Sequence, residues 1–203
     1  MTAYSNNPEY AEANGKKYKI NTDFRVAIEC QKIAEDSSIG DFQRAMGIIY
    51  KLYGAEALDT KNMDYWNRLL ELAIEFLTLG KGQIGSSSNV DDPDMDLVED
   101  MSYIEASFMS DYKIDLTTCT MHWWKFYKLL EGLSNSELGN CCILNRIRNL
   151  RTMDTSKIKD VKERDRISEA KKQYALKKKN KIILSKEQEK NRIALLKDIG
   201  IIR

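Results

Sequence analysis

His122 is the single histidine of the 203-residue chain, and the residues around it invite a chemical reading: Cys119 three positions before it, Trp123 and Trp124 directly after. Imidazole and thiolate both ligate zinc, but a tetrahedral site needs four donors, and two more at ligand spacing are not apparent. His122 is therefore read as a structural histidine, buried or half-buried. The run Asp91-Asp92-Pro93-Asp94-Met95-Asp96 offers carboxylates such as a calcium loop uses. The glycine at the sixth position and the closing glutamate that shape an EF-hand do not fall at the right offsets, so it reads as a solvated acidic loop. A third group is cationic: Lys157, Lys159, Lys162, Arg164, Arg166, Lys171, Lys172 and the triplet Lys177-Lys178-Lys179. Clustered lysines can neutralise phosphates. Here Asp160, Glu163, Asp165 and Glu169 are mixed in and Tyr174 is the interleaved aromatic, which favours a solvated helix face over nucleic-acid binding. Neither a phosphate-binding glycine loop nor a nucleophile elbow is present. No residue is assigned a catalytic, cofactor-binding or metal-binding role, and neither a cofactor nor enzyme activity is expected.

The elements that must position these groups read as helices. Proline occurs twice, at Pro8 and Pro93, so long helices are permitted almost everywhere and an all-β fold is disfavoured. Asn14-Gly15 between Tyr10–Ala13 and Lys16–Ile20 has the dipeptide that tolerates a type I′ turn, which predicts an N-terminal β-hairpin. Asn21-Thr22-Asp23 then offers cap residues, and Phe24, Ala27, Ile28, Cys30 and Ile33 recur at helical spacing. A second helix follows Gly40-Asp41 with Phe42, Ala45, Met46, Ile49, Leu52 and Tyr53 as its stripe and Gly54 as its left-handed stop. A third runs from about Met63 to Leu79, with Trp66, Leu69, Leu70, Ala73, Ile74 and Leu77 inward and Gly80 ending it. Residues 81–93, rich in glycine, serine and aspartate, read as a mobile surface loop. An acidic helix is expected from about Asp94 to Tyr112, and a fifth from Thr117-Thr118 to Gly132. Ser134-Asn135-Ser136-Glu137 has capping-box spacing, with Leu133 and Leu138 as a staple, and predicts the start of a sixth helix. From Asp154 onward a long, exposed, basic helix is expected, and Ser185-Lys186-Glu187-Gln188 opens a short tail helix. The expected class is mainly α: an N-terminal arm and hairpin (1–21), a helical core domain (22–153) with the flexible acidic loop 81–93, and a basic helical arm (154–203).

Charge is segregated although 32 basic and 31 acidic residues nearly cancel. Residues 55–115 hold fourteen acidic side chains against four basic; residues 157–181 hold eleven basic against four acidic. The blocks are able to attract each other within or between molecules. No apolar h-region and no membrane-length apolar run is present, and Cys30, Cys119, Cys141 and Cys142 lack CxxC spacing, so a cytosolic protein with packed thiols is expected.

Successive helix positions point about 100° apart, so Trp123 and Trp124 cannot share one stripe. Trp123 goes with Cys119, Phe126, Tyr127 and Leu130 and is assigned to the core. Trp124 falls with Met121 and Lys128 on a second face, which either packs under the hairpin or anchors a partner, tryptophan being enriched at interface hot spots. Met121, Trp124, Lys128 and, on the basic arm, Tyr174 are the candidate partner-binding residues.

Several runs, in this order, resemble landmarks of a phage tail protein family. They are Tyr18-Lys19-Ile20-Asn21-Thr22-Asp23-Phe24-Arg25, Asp41-Phe42-Gln43-Arg44-Ala45 with its Gly54 stop, and Asp100-Met101-Ser102-Tyr103-Ile104. Ile114-Asp115-Leu116, His122-Trp123-Trp124-Lys125-Phe126 and Lys157-Ile158-Lys159-Asp160 with Glu163-Arg164 complete the set. The likeness spans about Asn14 to Leu176. The family comprises small helical proteins encoded near the tape-measure gene in siphophages and prophages of Gram-positive bacteria. The resemblance implies a tail-assembly chaperone that binds the tape-measure protein in the host bacterial cytoplasm and is absent from the mature virion. It names an upstream chaperone partner, the tail tube protein and self-association as further candidate contacts, with no membrane partner and nucleic acid disfavoured. The alternatives are a permanent structural or adaptor component of a phage tail, and a nucleic-acid-binding regulator using the basic arm.

Overall fold

The computed structural model describes residues 7–59, 62–80, 94–135 and 141–177. Among them the protein is mainly α, with one antiparallel hairpin and seven α-helices. These residues group into two compact units, residues 7–80 and residues 94–177. Residues 154–177, where a separate arm was expected to begin, group with the second unit. The expected loop 81–93 and the tail from 178, with its proposed cap at 185–188, lie outside the described residues.

In the first unit, β1 (Tyr10–Ala13) pairs with β2 (Lys16–Lys19) in the register Ala11 opposite Tyr18 and Glu12 opposite Lys17. Asn14 and Gly15 carry the positive φ angles, 50° and 78°, that the turn demands. Alternation buries Ala11, Ala13, Tyr18 and Ile20 on one face. That face closes on helix α3 (Met63–Leu77), and Tyr18 meets Tyr53 and Tyr65 with ring centroids 6.3 and 6.1 Å away. Helix α1 (Phe24–Glu35) is capped by the Asp23 carboxylate, which accepts the Arg25 N–H at 2.8 Å. It packs on α2 (Asp41–Tyr53), where a side chain at Gly47 would press on Ile33 at 3.3 Å. Gly54 has φ 82° as a stop requires, but its ψ of −179° is extended, so it turns the chain outward instead of closing a left-handed cap. At the end of α3 both Leu79 and Gly80 take positive φ, and the Gly80 N–H reaches back to the Glu75 carbonyl at 2.8 Å.

Two inward assignments need correction. Phe42, placed in the α2 stripe, is 54% exposed, and Trp66 is half-buried. The buried face of α3 is Tyr65, Leu69, Ala73, Phe76 and Leu77, rotated from the expected one because Tyr65 is drawn to Tyr18.

In the second unit, α4 (Met101–Tyr112) begins seven residues later than expected, and 97–100 form turns. Helix α5 (Trp123–Glu131) also starts late. Asp115 accepts the Thr117 N–H at 2.8 Å and holds a single turn, and the helix proper awaits His122. Helix α6 (Ile143–Thr152) does not start at the Ser134 box. Ser134 instead donates its N–H to Asp111 at 2.8 Å, and its carbonyl accepts the Cys142 N–H at 3.1 Å. Residues 136–140, including Glu137 and Leu138, lie outside the described residues. The cap of α6 is tertiary: the Leu144 N–H donates to the Ser107 hydroxyl of α4, 3.1 Å away in the interior. Helix α7 (Val161–Gln173) buries none of its residues.

The core of this unit is an aromatic stack. Phe108 and Trp123 each lie nearly parallel to Phe126, at 5.3 and 5.8 Å, and all three are buried. Leu144 and Ile147 of α6 and Ile104 of α4 are buried beside them. Burying each such side chain contributes about 1.5–3 kcal/mol. A side chain at Gly132 would meet the Tyr112 hydroxyl at 3.0 Å, and that hydroxyl donates to the Leu129 carbonyl at 2.9 Å.

Candidate partner-binding site

His122 is the N-cap of α5. Its Nδ1 accepts the Trp124 N–H at 3.0 Å, a role for which serine, threonine or aspartate is the usual choice. The cap fixes the start of the helix and so fixes the two tryptophans: Trp123 is wholly buried and Trp124 half-buried. Lys128, one turn beyond Trp124, is exposed. Met121 does not share their face: it precedes the helix and is buried, 6% exposed. Tyr174 is elsewhere, ending α7 with its ring edge-on to Tyr103 of α4 at 6.3 Å. Of the four candidate residues, Trp124 and Lys128 are thus brought together on α5, while Met121 and Tyr174 occupy other surroundings. The hairpin, offered as a cover for Trp124, packs on α3.

A second constellation lies where 94–100, α6 and the end of α7 meet. Arg151 clasps Asp100 with two hydrogen bonds, 2.7 and 2.8 Å, their side chains 10% and 1% exposed. The same guanidinium donates to the Asp94 carbonyl at 2.9 Å and to the Tyr174 carbonyl at 2.7 Å. Asp100 also accepts the Asp96 N–H at 3.0 Å, and Asp94 takes two bonds from Arg148, at 2.8 and 3.0 Å. Donating to the Asp100 carboxylate holds the Arg151 guanidinium above its ordinary range, against the opposing pull of burial. The acidic run 91–96 is therefore not merely solvated at its described end, because Asp94 is held by an ion pair with Arg148 across 54 residues of sequence.

In the first unit, Phe42 and Trp66 meet edge-on at 5.8 Å, and the indole N–H of Trp66 is buried without an acceptor. Tyr50 on α2 is 52% exposed, so this unit keeps large aromatic area at its surface. Cys30 is buried, its thiol pushed up to about 12 by burial, which makes it inert packing. Among the described residues no cluster of histidine, cysteine and carboxylate fit to hold a metal occurs, and no helix is long and apolar enough to cross a membrane.

In this helical molecule His122 caps α5, Trp123 packs inside and Trp124 is half-buried. The class the molecule falls in is that of bacteriophage proteins: the family model described as Bacteriophage Gp15 protein matches residues 6–176. The chain belongs to that family. No curated protein and no solved structure gives a significant match to it.

Proposed function

We propose that the chain is a tail-assembly chaperone, which binds the tape-measure protein and keeps it soluble while the tail tube assembles. The observation that carries this reading is membership of a bacteriophage family across 6–176, joined to a sequence whose motifs resemble tail proteins encoded beside the tape-measure gene. The surface chemistry supports it. A tape measure is a very long helical chain with apolar stripes that aggregate if left bare. Half-buried Trp124 beside exposed Lys128, and exposed Phe42 against Trp66, are aromatic footholds of the kind that take a helix face. The protein works by binding, without catalysis and without a cofactor, in the host cytoplasm, and leaves before the virion is complete. Co-expression with tape-measure fragments tests this. The fragments should stay soluble and co-purify with the chain; unchanged aggregation sinks the reading. Stoichiometric copies in purified particles would instead favour a permanent tail component.

A further inference from the structure

Helix α7 is fastened in an unusual way. Thirteen residues long, it buries none of them, and Val161 at its start is 56% exposed. The hydrogen bonds that tie it to the rest of the second unit fall at its C-terminal end. Arg151 donates to the carbonyl of Tyr174, the residue that ends the helix, and the Tyr174 ring stands edge-on to Tyr103. Just beyond, the Lys177 N–H donates to the Glu99 carboxylate at 3.1 Å, and the Lys171 ammonium reaches the Met153 carbonyl at 2.6 Å.

The receiving side owes little to α7. Arg151 is set by both Asp100 oxygens and by the Asp94 carbonyl, and Asp94 is itself held by Arg148. Each receiving group matches what a helix C-terminus presents. The guanidinium meets an end carbonyl and the negative end of the helix dipole. The Tyr103 ring takes an aromatic side chain at the last residue. The Glu99 carboxylate takes a main-chain N–H a few residues on. Asp94, Asp96, Glu99 and Asp100 outnumber Arg148 and Arg151, which suits a basic last turn such as Lys171-Lys172.

We propose that Glu99, Tyr103 and Arg151 form a receptor for the C-terminus of a basic helix ending in an aromatic residue. In the resting chain α7 fills it; when α7 lifts, a partner helix with the same ending takes its place. The inference goes beyond the chaperone reading and does not depend on which protein supplies the helix. A self-ligand lowers apparent affinity by the fraction of time it occupies the site, so loosening it strengthens binding in trans.

The test uses the full chain and a fluorescein-labelled synthetic peptide of residues 158–177, with anisotropy as readout. Tyr174→Ala in the chain should raise peptide affinity about tenfold over the unmodified chain, as expected for a self-ligand present about nine-tenths of the time. Adding Tyr103→Ala should remove the gain, and a peptide carrying Tyr174→Ala should fail to bind. Equal affinity for the unmodified and Tyr174→Ala chains, or none for either, overturns the proposal. If Tyr174→Ala does not fold, hydrogen exchange on the unmodified chain decides. Amides of α7 should exchange faster than those of α6 and faster still with excess unlabelled peptide; equal protection that the peptide leaves unmoved overturns the receptor. Any of these failures leaves the tape-measure solubility test untouched, so the two readings fall separately.

Discussion

The two units handle charge and aromatic rings differently. In residues 7–80, Lys51 and Glu29 pair at 2.6 Å with side chains 41% and 48% exposed, while the interior is filled by aliphatic side chains, Phe24, Phe76 and a tyrosine trio around Tyr18. Two aromatics, Phe42 and Tyr50, stay more than half outside. In residues 94–177 a charged side chain joins the rings inside: the Asp100 carboxylate is buried along with Phe108, Trp123 and Phe126. Apolar burial is non-directional and tolerates sliding, whereas a buried carboxylate must meet its partner in one geometry. The second unit is therefore specified by a few exact contacts, and the first by area.

Substitutions can break this contrast, and the largest effects belong to the second unit. Trp123→Ala removes the end of the aromatic stack and should cost about 3–5 kcal/mol, read by thermal or denaturant melting. A loss below about 1 kcal/mol would mean the stack does not hold the unit. Asp100→Ala strands the Arg151 guanidinium in the interior and should cost a similar amount, about 3–5 kcal/mol. Asp100→Leu combined with Arg151→Met should recover most of it, since the partnerless charge is then gone. A double variant as unstable as the single one would show that the clasp acts through more than desolvated charge.

The corresponding change in the first unit, Lys51→Ala, should leave the melting temperature within error, because water screens that pair. A large drop there would erase the contrast. Trp124→Ala should weaken capture of tape-measure fragments more than it lowers the melting temperature; equal losses with Trp123→Ala would place both rings in the core. The smallest effect is with pH. Hydrogen bonds from Ser38, Thr117 and Ser156 hold the carboxyls of Asp36, Asp115 and Asp154 below the ordinary range. A depressed folded pKa gives stability that is present above the unfolded value, about 3.9, and lost as pH falls through the folded one. Acid titration should show Ser38→Ala, which removes the hydroxyl bond and keeps the main-chain one, shifting the acid limb of the melting curve slightly upward in pH; no shift would mean the Ser38 hydroxyl bond does not form in solution.

Legibility differed by the range of the forces involved. The hairpin turn at Asn14-Gly15, the Asp23 cap and the breaks near Gly54 and Gly80 are local events, decided by which φ angles and side-chain acceptors a few neighbouring residues offer. The division between Trp123 and Trp124 was likewise open to reading from the 100° step of the helix. Harder were the starts of α5 and α6. Thr117 and Ser134 look like caps in sequence, but the first is spent on an isolated turn and the second on Asp111 and Cys142.

What the sequence determined by itself was the helical class, the hairpin and the phage family. What tertiary structure alone decided was which polar residues count. Asp100 and Arg151 sit 51 positions apart in runs that look merely solvated, and Ser107 caps a helix 37 residues downstream. Such pairs leave no periodic trace, because a hydrogen bond depends on where two elements meet in space and not on how many residues separate them.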